Sequence, residues 1–185
     1  MSEKAKLKLC IFGDGGVGKT SLTQRYLTQV FDEDLKMTIG TDLCVKDVNI
    51  DNLNARLQIW DFAGEERYKV LFPSFVKGAH GGIFMFDVTR HTTLKNLDGW
   101  LSFFKEEMEA TNKHIPIIMV GSKLDLGDNR SISTEDGIEI ARSSNLQGYF
   151  ECSAKTGENI DNIFENITRL MLMEEGLIEK NDIIG

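Results

Sequence analysis

Gly13-Asp14-Gly15-Gly16-Val17-Gly18-Lys19-Thr20 is the stretch of sequence that decides the fold. It follows an alternating apolar pattern at Leu7, Leu9 and Ile11, which predicts a β-strand, and it precedes a helix predicted to end near residue 30. The spacing GxxxxGK[ST] between a strand and a helix is typical of a phosphate-binding P-loop, and a plain glycine-rich turn is the weaker alternative. We therefore expect a nucleotide phosphate site at this loop.

The chemistry of the loop depends on its backbone and on two side chains. Glycines permit positive φ angles, so that backbone N–H groups can surround phosphates at the start of the following helix. Lys19 is expected to reach the β- and γ-phosphates, and Thr20 is expected to offer its hydroxyl to Mg²⁺. The remaining predicted phosphate contacts are Gly15, Gly16, Val17, Gly18 and Ser21. The loop alone does not distinguish GTP from ATP, so an ATP-dependent small-molecule kinase is an alternative, although the short loops leave no obvious lid.

Composition narrows the class of protein. The 185 residues fit one domain, predicted to cover 1–175, with a short tail at 176–185. The formal net charge of −8 argues against nucleic acid as a partner, because an acidic surface repels phosphates. Three widely spaced cysteines without a CxxC pair predict buried thiols in a reducing, cytoplasmic setting.

Strand and helix patterns alternate along the chain. Two extended segments, 42–50 and 55–61, predict a hairpin joined by 51–54. Strand patterns at 83–88, 115–121 and 149–152 alternate with helical patterns at 93–110, 133–144 and 160–171. This order predicts an α/β fold with a six-stranded, mostly parallel sheet, one antiparallel edge strand and about five helices on both faces. A ligand should bind at the carboxyl ends of the strands.

Three further segments lie at those strand ends. Asp61, followed by Phe62-Ala63-Gly64, can hold a Mg²⁺-bound water, and Gly64 lets a backbone N–H approach a γ-phosphate. Asp125 can accept hydrogen bonds from guanine N1–H and the 2-amino group, a donor pair that adenine lacks. The stem of Lys123 can cover the base, and the N–H of Ala154 can donate to guanine O6. Each short motif is weak alone, but their joint order favours guanine, with predicted contacts from Ser122, Lys123, Asp125, Ser153, Ala154 and Lys155.

With these motifs, the sequence resembles a Ras-superfamily small GTPase, most closely the Rab branch, from residue 6 to about 173. The segments that carry the Rab likeness are Thr38-Ile39-Gly40, Leu57-Gln58-Ile59-Trp60-Asp61, Glu66-Arg67-Tyr68, Lys77-Gly78-Ala79 and Asp87-Val88-Thr89. The resemblance implies a P-loop small G domain that binds GTP and GDP with Mg²⁺ and acts as a molecular switch.

The resemblance also assigns roles that the residues alone would not reveal. Thr38 in switch I, about 32–42, would be a second Mg²⁺ ligand beside Thr20, and Phe31 would lie edge-on against guanine. Switch II would run over about 61–75. Effectors would read both switches, and a GAP and an exchange factor could act on them.

Several positions depart from the family pattern. Glu65 stands where these families usually place the glutamine that orients the attacking water, beside the other expected catalytic residues, Lys19 and Gly64. We expect slow GTP hydrolysis. The alternatives are a nearly hydrolysis-deficient, GTP-bound interaction module, or ordinary turnover if Glu65 turns into solvent or acts as a general base. Phe62 replaces a small residue, and Ser122 replaces an asparagine without an expected loss of guanine binding.

The carboxyl-terminal sequence also differs from Rab proteins, which usually end in prenylated cysteines. Here the last cysteine is Cys152, no CaaX box follows, and Ser2 replaces the glycine that myristoylation needs. Unless the chain is truncated, we expect a cytoplasmic protein that reaches membranes only weakly or through its partners.

Overall fold

A six-stranded sheet forms the centre of the computed structural model, which describes residues 4–179. The strands are β1 (Ala5–Phe12), β2 (Thr41–Ile50), β3 (Leu53–Phe62), β4 (Gly81–Asp87), β5 (Ile117–Ser122) and β6 (Gly148–Glu151). They lie in the order β2-β3-β1-β4-β5-β6, and among these described strands β2 alone pairs antiparallel to its neighbour. The predicted mostly parallel sheet with one antiparallel edge strand is confirmed.

Helices cover both faces of this sheet. The five α-helices within residues 4–179 are α1 (Lys19–Thr28), α2 (Phe72–Val76), α3 (Leu97–Thr111), α4 (Thr134–Ser143) and α5 (Ile160–Glu174). Short 3-10 helices add Glu66–Leu71, His91–Leu94 and Leu124–Asn129. On one face Leu22 of α1 and Phe164 of α5 pack on the sheet, and on the other face Phe72, Trp100 and Ala141 of α2, α3 and α4 do so.

Two predicted boundaries were wrong for local reasons. The turn between β2 and β3 has two residues and not four, because Asp51 (φ 50°) and Asn52 (φ 67°) both adopt the left-handed conformation of a tight hairpin. Helix α3 begins at Leu97 and not at 93. The Thr93 hydroxyl instead bonds the carbonyl of Arg90 (2.7 Å) and the N–H of Asp87 (3.0 Å), which holds residues 91–94 in a separate turn.

The cysteines differ from one another in burial. Cys10 and Cys152 are buried, but Cys44 is half-buried on the edge strand β2, so the prediction of three buried thiols was wrong for Cys44. Within residues 4–179, no helix is both long enough and apolar enough to cross a membrane. Residues 1–3, and residues 180–185 of the predicted tail, lie outside the described part of the chain.

The parallel strands bring distant segments to one edge of the sheet. The P-loop follows β1, Asp61 lies near the end of β3, Asp87 ends β4, and Ser122 ends β5. The segment 152–157 follows β6 at the same edge. The sheet thus collects the chemically active side chains of separate motifs into one region.

Candidate functional site

Two adjoining clefts lie over the carboxyl ends of the strands. The P-loop cleft, of about 270 Å³, is bounded by the P-loop, residues 35–38 and residues 62–65. The β5–β6 cleft, of about 290 Å³, is bounded by the loops after β5 and β6 and by Phe31. Gly18, Ser21 and Lys123 line both clefts, so the two form one continuous groove.

Lys19 lies in the centre of the P-loop. Its side chain is nearly buried, and its Nζ donates to the carbonyls of Gly13 (3.0 Å) and Asp14 (2.8 Å). Burial lowers the pKa of Lys19 to about 8, although the carboxylates of Asp61 and Asp14 act in the opposite direction. A negative charge added beside this buried amine, such as a phosphate, would therefore stabilise its protonated form.

Three side-chain oxygens meet at the other end of the P-loop cleft. The hydroxyls of Thr20 and Thr38 lie 2.7 Å apart, and Thr20 donates to Asp61 Oδ2 at 2.5 Å. Burial raises the pKa of the Asp61 carboxyl, against the hydrogen bond from Thr20 and the charge of Lys19. Asp61 Oδ1 is buried and has no hydrogen-bond partner. Because hydroxyl and carboxylate oxygens are the ligands that Mg²⁺ prefers, this cluster fits that cation or a water bound to it.

Gly64 lies directly against the P-loop backbone. A methyl group placed on it would lie 2.3 Å from the carbonyl oxygen of Gly13 and 2.5 Å from the nitrogen of Gly15. The close approach requires glycine at this position.

Glu65 follows Gly64 on the wall of the same cleft. Its Oε2 lies 2.7 Å from Arg67 Nε, and the Glu65 side chain is 25% exposed. The carboxylate is thus paired at the cleft rather than turned into solvent.

Asp125 is held in place from behind the β5–β6 cleft. Ser153, which is fully buried, donates to Asp125 Oδ1 at 2.6 Å and accepts from the N–H of Thr156 at 3.1 Å. Asp125 itself is exposed on the cleft wall. Ser153 therefore orients the carboxylate from behind the cleft, and the ligand contact predicted for it stays a prediction.

Ser122 lies beneath the β5–β6 cleft. Its hydroxyl lies 2.5 Å from the carbonyl oxygen of Val17 and 2.9 Å from that of Phe86. The serine thus ties the P-loop to β4 and β5, which accounts for a small hydroxyl residue where asparagine is usual.

Sequence reasoning missed Asp87 and Arg90 as parts of the site. Asp87 is buried at the end of β4, and its Oδ2 accepts from Lys123 Nζ (2.8 Å) and Arg90 Nε (3.0 Å). Burial raises the pKa of Asp87, but the hydrogen bonds from Lys123 and Thr89 outweigh it and the pKa is lowered. Arg90 also reaches the carbonyl oxygen of Gly15 at 3.3 Å. The sequence did carry one signal for Asp87, because this acidic residue ends an apolar strand at the edge of the sheet where the other motifs lie.

Comparison with known proteins identifies the family. The model of the Ras family matches residues 8–173. The chain belongs to the Ras family. This Ras-family chain is also 39% identical over 175 residues to Ras-related protein Rab-18-B of Danio rerio, an alignment that covers 95% of this chain and 83% of the relative. The predicted resemblance is confirmed.

Family membership carries several general properties. The chain is a small GTPase of the Rab type, an enzyme that hydrolyses GTP. Ras-family G proteins generally bind GTP or GDP with Mg²⁺, and Rab-like members generally bind effectors, GAPs and exchange factors.

The predicted site residues of this Ras-family chain fall into three groups: those on the P-loop cleft, those on the β5–β6 cleft and those buried behind the clefts. Those on the P-loop cleft are Gly15, Gly16, Gly18, Lys19, Thr20, Ser21, Thr38, Gly64 and Glu65. Those on the β5–β6 cleft are Val17, Phe31, Ser122, Lys123, Asp125, Ala154 and Lys155. Asp61 and Ser153 are buried and contact cleft residues from behind.

Proposed function

We propose that this chain is a molecular switch that holds GTP or GDP with Mg²⁺ in the continuous groove and hydrolyses GTP slowly. The observation that carries the proposal is the convergence of Thr20, Thr38 and Asp61, whose oxygens come from the helix after the P-loop, the first switch segment and the end of β3. These three elements are distant in sequence. Their meeting at one cation-binding cluster supports a site whose shape depends on the ligand.

The phosphates would lie in the P-loop cleft. The nearly buried Lys19 amine, already held by two carbonyls, would bind phosphate oxygens, and the backbone N–H groups of residues 15–19 would surround them. Bound Mg²⁺ would offset the negative charge of the β- and γ-phosphates. Thr20 and Thr38 would each give it a hydroxyl oxygen, and the unpartnered Oδ1 of Asp61 would accept from a water bound to it.

The base would lie in the β5–β6 cleft. The carboxylate of Asp125, oriented by Ser153, can accept two hydrogen bonds from guanine but finds no matching donor pair on adenine. Phe31 and the stem of Lys123 supply apolar walls, and the N–H of Ala154 can donate to guanine O6. The chemistry of this cleft supports GTP and GDP over ATP.

The switch would act through two segments that contact the P-loop cleft, 32–42 and 61–75. Thr38 and Gly64 each lie where a γ-phosphate and its cation would hold them, so the loss of that phosphate would release both segments. The two segments also carry large exposed apolar side chains, namely Met37, Ile39, Val70 and Leu71, and Leu43 follows on β2. An exposed apolar surface of this kind supports binding of effector proteins.

Slow hydrolysis is the part of the proposal that depends on Glu65. A glutamine there could both accept from water and donate to the transition state, whereas a carboxylate can only accept. The pair with Arg67 keeps the carboxylate at the cleft. Its negative charge would also oppose the phosphates, so Glu65 would restrain turnover and prolong the GTP-bound state.

Titration calorimetry of the nucleotide-free protein with GDP, GTP and ATP, each with Mg²⁺, tests the proposed site. We expect GDP and GTP to bind at least about 1,000-fold more tightly than ATP, because adenine offers no donor pair to the Asp125 carboxylate. Removal of Mg²⁺ should weaken GTP binding. Comparable affinities for ATP and GTP would contradict the proposed base site.

A further inference from the structure

Asp14 in the P-loop is bound by two side chains from the start of α3. Trp100 Nε1 donates to Asp14 Oδ1 at 3.1 Å, and Asn96 Nδ2 donates to Asp14 Oδ2 at 3.1 Å. The residues are more than eighty positions apart in sequence. A hydrogen bond to a carboxylate is stronger than one between neutral groups, so this contact fixes the P-loop against α3.

The other side of Trp100 contacts the second switch segment. The indole ring is 1% exposed and packs edge-on against Phe72, with ring centroids 5.0 Å apart at 85°. Phe62 packs on it at 6.0 Å and 79°, and Lys69 Nζ lies 4.9 Å from the ring centroid. Phe62, Lys69 and Phe72 all belong to segment 61–75, so one rigid side chain contacts that segment and the P-loop together.

This arrangement also explains the unusual Phe62. The ring that replaces a small residue after Asp61 is buried in an aromatic cluster with Phe72, Phe75 and Trp100. Edge-on aromatic pairs are stabilising beyond the burial of their surface, because the positive ring edge meets the negative ring face. The start of the second switch segment is therefore anchored on Trp100.

We propose that Trp100 is a positioning residue that couples the P-loop to the second switch segment, through its N–H to Asp14 and its ring to Phe62 and Phe72. Trp100 lines neither the P-loop cleft nor the β5–β6 cleft. When the P-loop changes its contacts with phosphate, Asp14 would move the indole, and the aromatic cluster would carry that movement to residues 61–75. The inference rests on the proposed nucleotide site.

Fluorescence gives the first test, because the chain has two tryptophans, Trp60 and Trp100. The Trp60→Phe variant leaves Trp100 as the single tryptophan, and it breaks no hydrogen bond because Trp60 Nε1 is unpartnered. We expect its emission to differ between complexes with GDP and with a non-hydrolysable GTP analogue. In Trp60→Phe with Asp14→Ala, that difference should disappear. Identical emission in the two complexes of Trp60→Phe would overturn the inference.

GDP release gives the second test. Trp100→Phe removes the N–H donor and retains an aromatic ring, whereas Asp14→Ala removes the acceptor. Trp100→Phe should speed GDP release by about tenfold, since hydrogen bonds to charged groups are the stronger ones. Asp14→Ala should speed it at least as much, because it also loses the contact with Asn96. The double variant should be no faster than Asp14→Ala alone, because that change already removes the acceptor of the Trp100 N–H. Multiplied effects of about a hundredfold would show that the two residues act independently.

Two controls keep these outcomes distinct. Trp60→Phe alone should release GDP at the wild-type rate. Should Trp100→Phe not fold, the emission of Trp60→Phe with and without Asp14→Ala still tests the contact, because Asp14→Ala removes the acceptor of the Trp100 N–H. If the wild-type protein fails to bind GDP, the proposed nucleotide site is wrong. If GDP binds but emission and release show no coupling, the role of Trp100 alone is wrong.

Discussion

Replacing Gly64 with alanine tests how closely the second switch segment must approach the P-loop. The added methyl group would lie 2.3 Å from both the carbonyl oxygen of Gly13 and the carbonyl carbon of Asp14. Ordinary contact begins near 3.4 Å, so the two backbones must separate by about 1 Å (3.4 − 2.3). The atoms on both sides are backbone, so no flexible side chain can relieve the overlap.

The cost follows from that overlap. Overpacking that the surroundings cannot relieve costs about 1–3 kcal/mol. The strain applies only while Gly64 lies against the P-loop, which is the arrangement that we assign to the GTP-bound state. Preference for GTP over GDP should therefore fall by about 5- to 150-fold, whereas GDP affinity itself should change little.

The assay compares affinities for GDP and for a non-hydrolysable GTP analogue by calorimetry, together with single-turnover GTP hydrolysis. Gly99→Ala serves as the matched control, because Gly99 is exposed on α3 and a methyl group there meets nothing within 4 Å. That variant should bind both nucleotides normally and gain about 1 kcal/mol of stability from helix propensity. A Gly64→Ala protein with the wild-type GTP preference and hydrolysis rate would refute the reasoning.

Three further predictions concern single residues of the groove. Glu65→Gln should speed single-turnover GTP hydrolysis by about tenfold or more with little change in GTP affinity. The control Glu109→Gln, at an exposed position of α3, should not change the rate. An equal or slower rate in Glu65→Gln would show that Glu65 does not restrain turnover. Asp125→Asn should weaken GTP and favour xanthine nucleotides, measured by competition, and unchanged GTP affinity would mean that Asp125 does not read the base. Because the pKa of Lys19 in the free protein is about 8, and phosphate should raise it, GDP binding above about pH 8 should take up protons and weaken as pH rises. Calorimetry at pH 8.5 in buffers of different ionisation enthalpy measures that uptake, and identical heats would contradict it.

The fold was predictable because its signals are local. Alternating apolar residues, the glycines of the P-loop and the strand–helix order determine a parallel sheet, and the sheet then brings Asp61, Ser122 and Ser153 to one edge. Local signals fail where a distant group competes. Thr93 resembles a helix start, but its hydroxyl bonds the backbone of Arg90 and Asp87 instead.

The supporting contacts of the site were less accessible from sequence. The motifs name residues that face the groove, but the partners of Asp14, Asp87 and Asp125 come from other elements. A short motif does not show which distant residue donates a hydrogen bond to its carboxylate. Trp100, for example, reads as a packing residue until its N–H is seen to reach the P-loop.

The central claim is that GTP, held with Mg²⁺, fixes the first switch segment through Thr38. Amide hydrogen exchange over residues 32–42 tests it most directly, with the protein bound to Mg²⁺ and either GDP or a non-hydrolysable GTP analogue. The account predicts slower exchange in this segment with the GTP analogue, while the core strand β5 exchanges equally in both states. Equal exchange of residues 32–42 in the two complexes would contradict the claim.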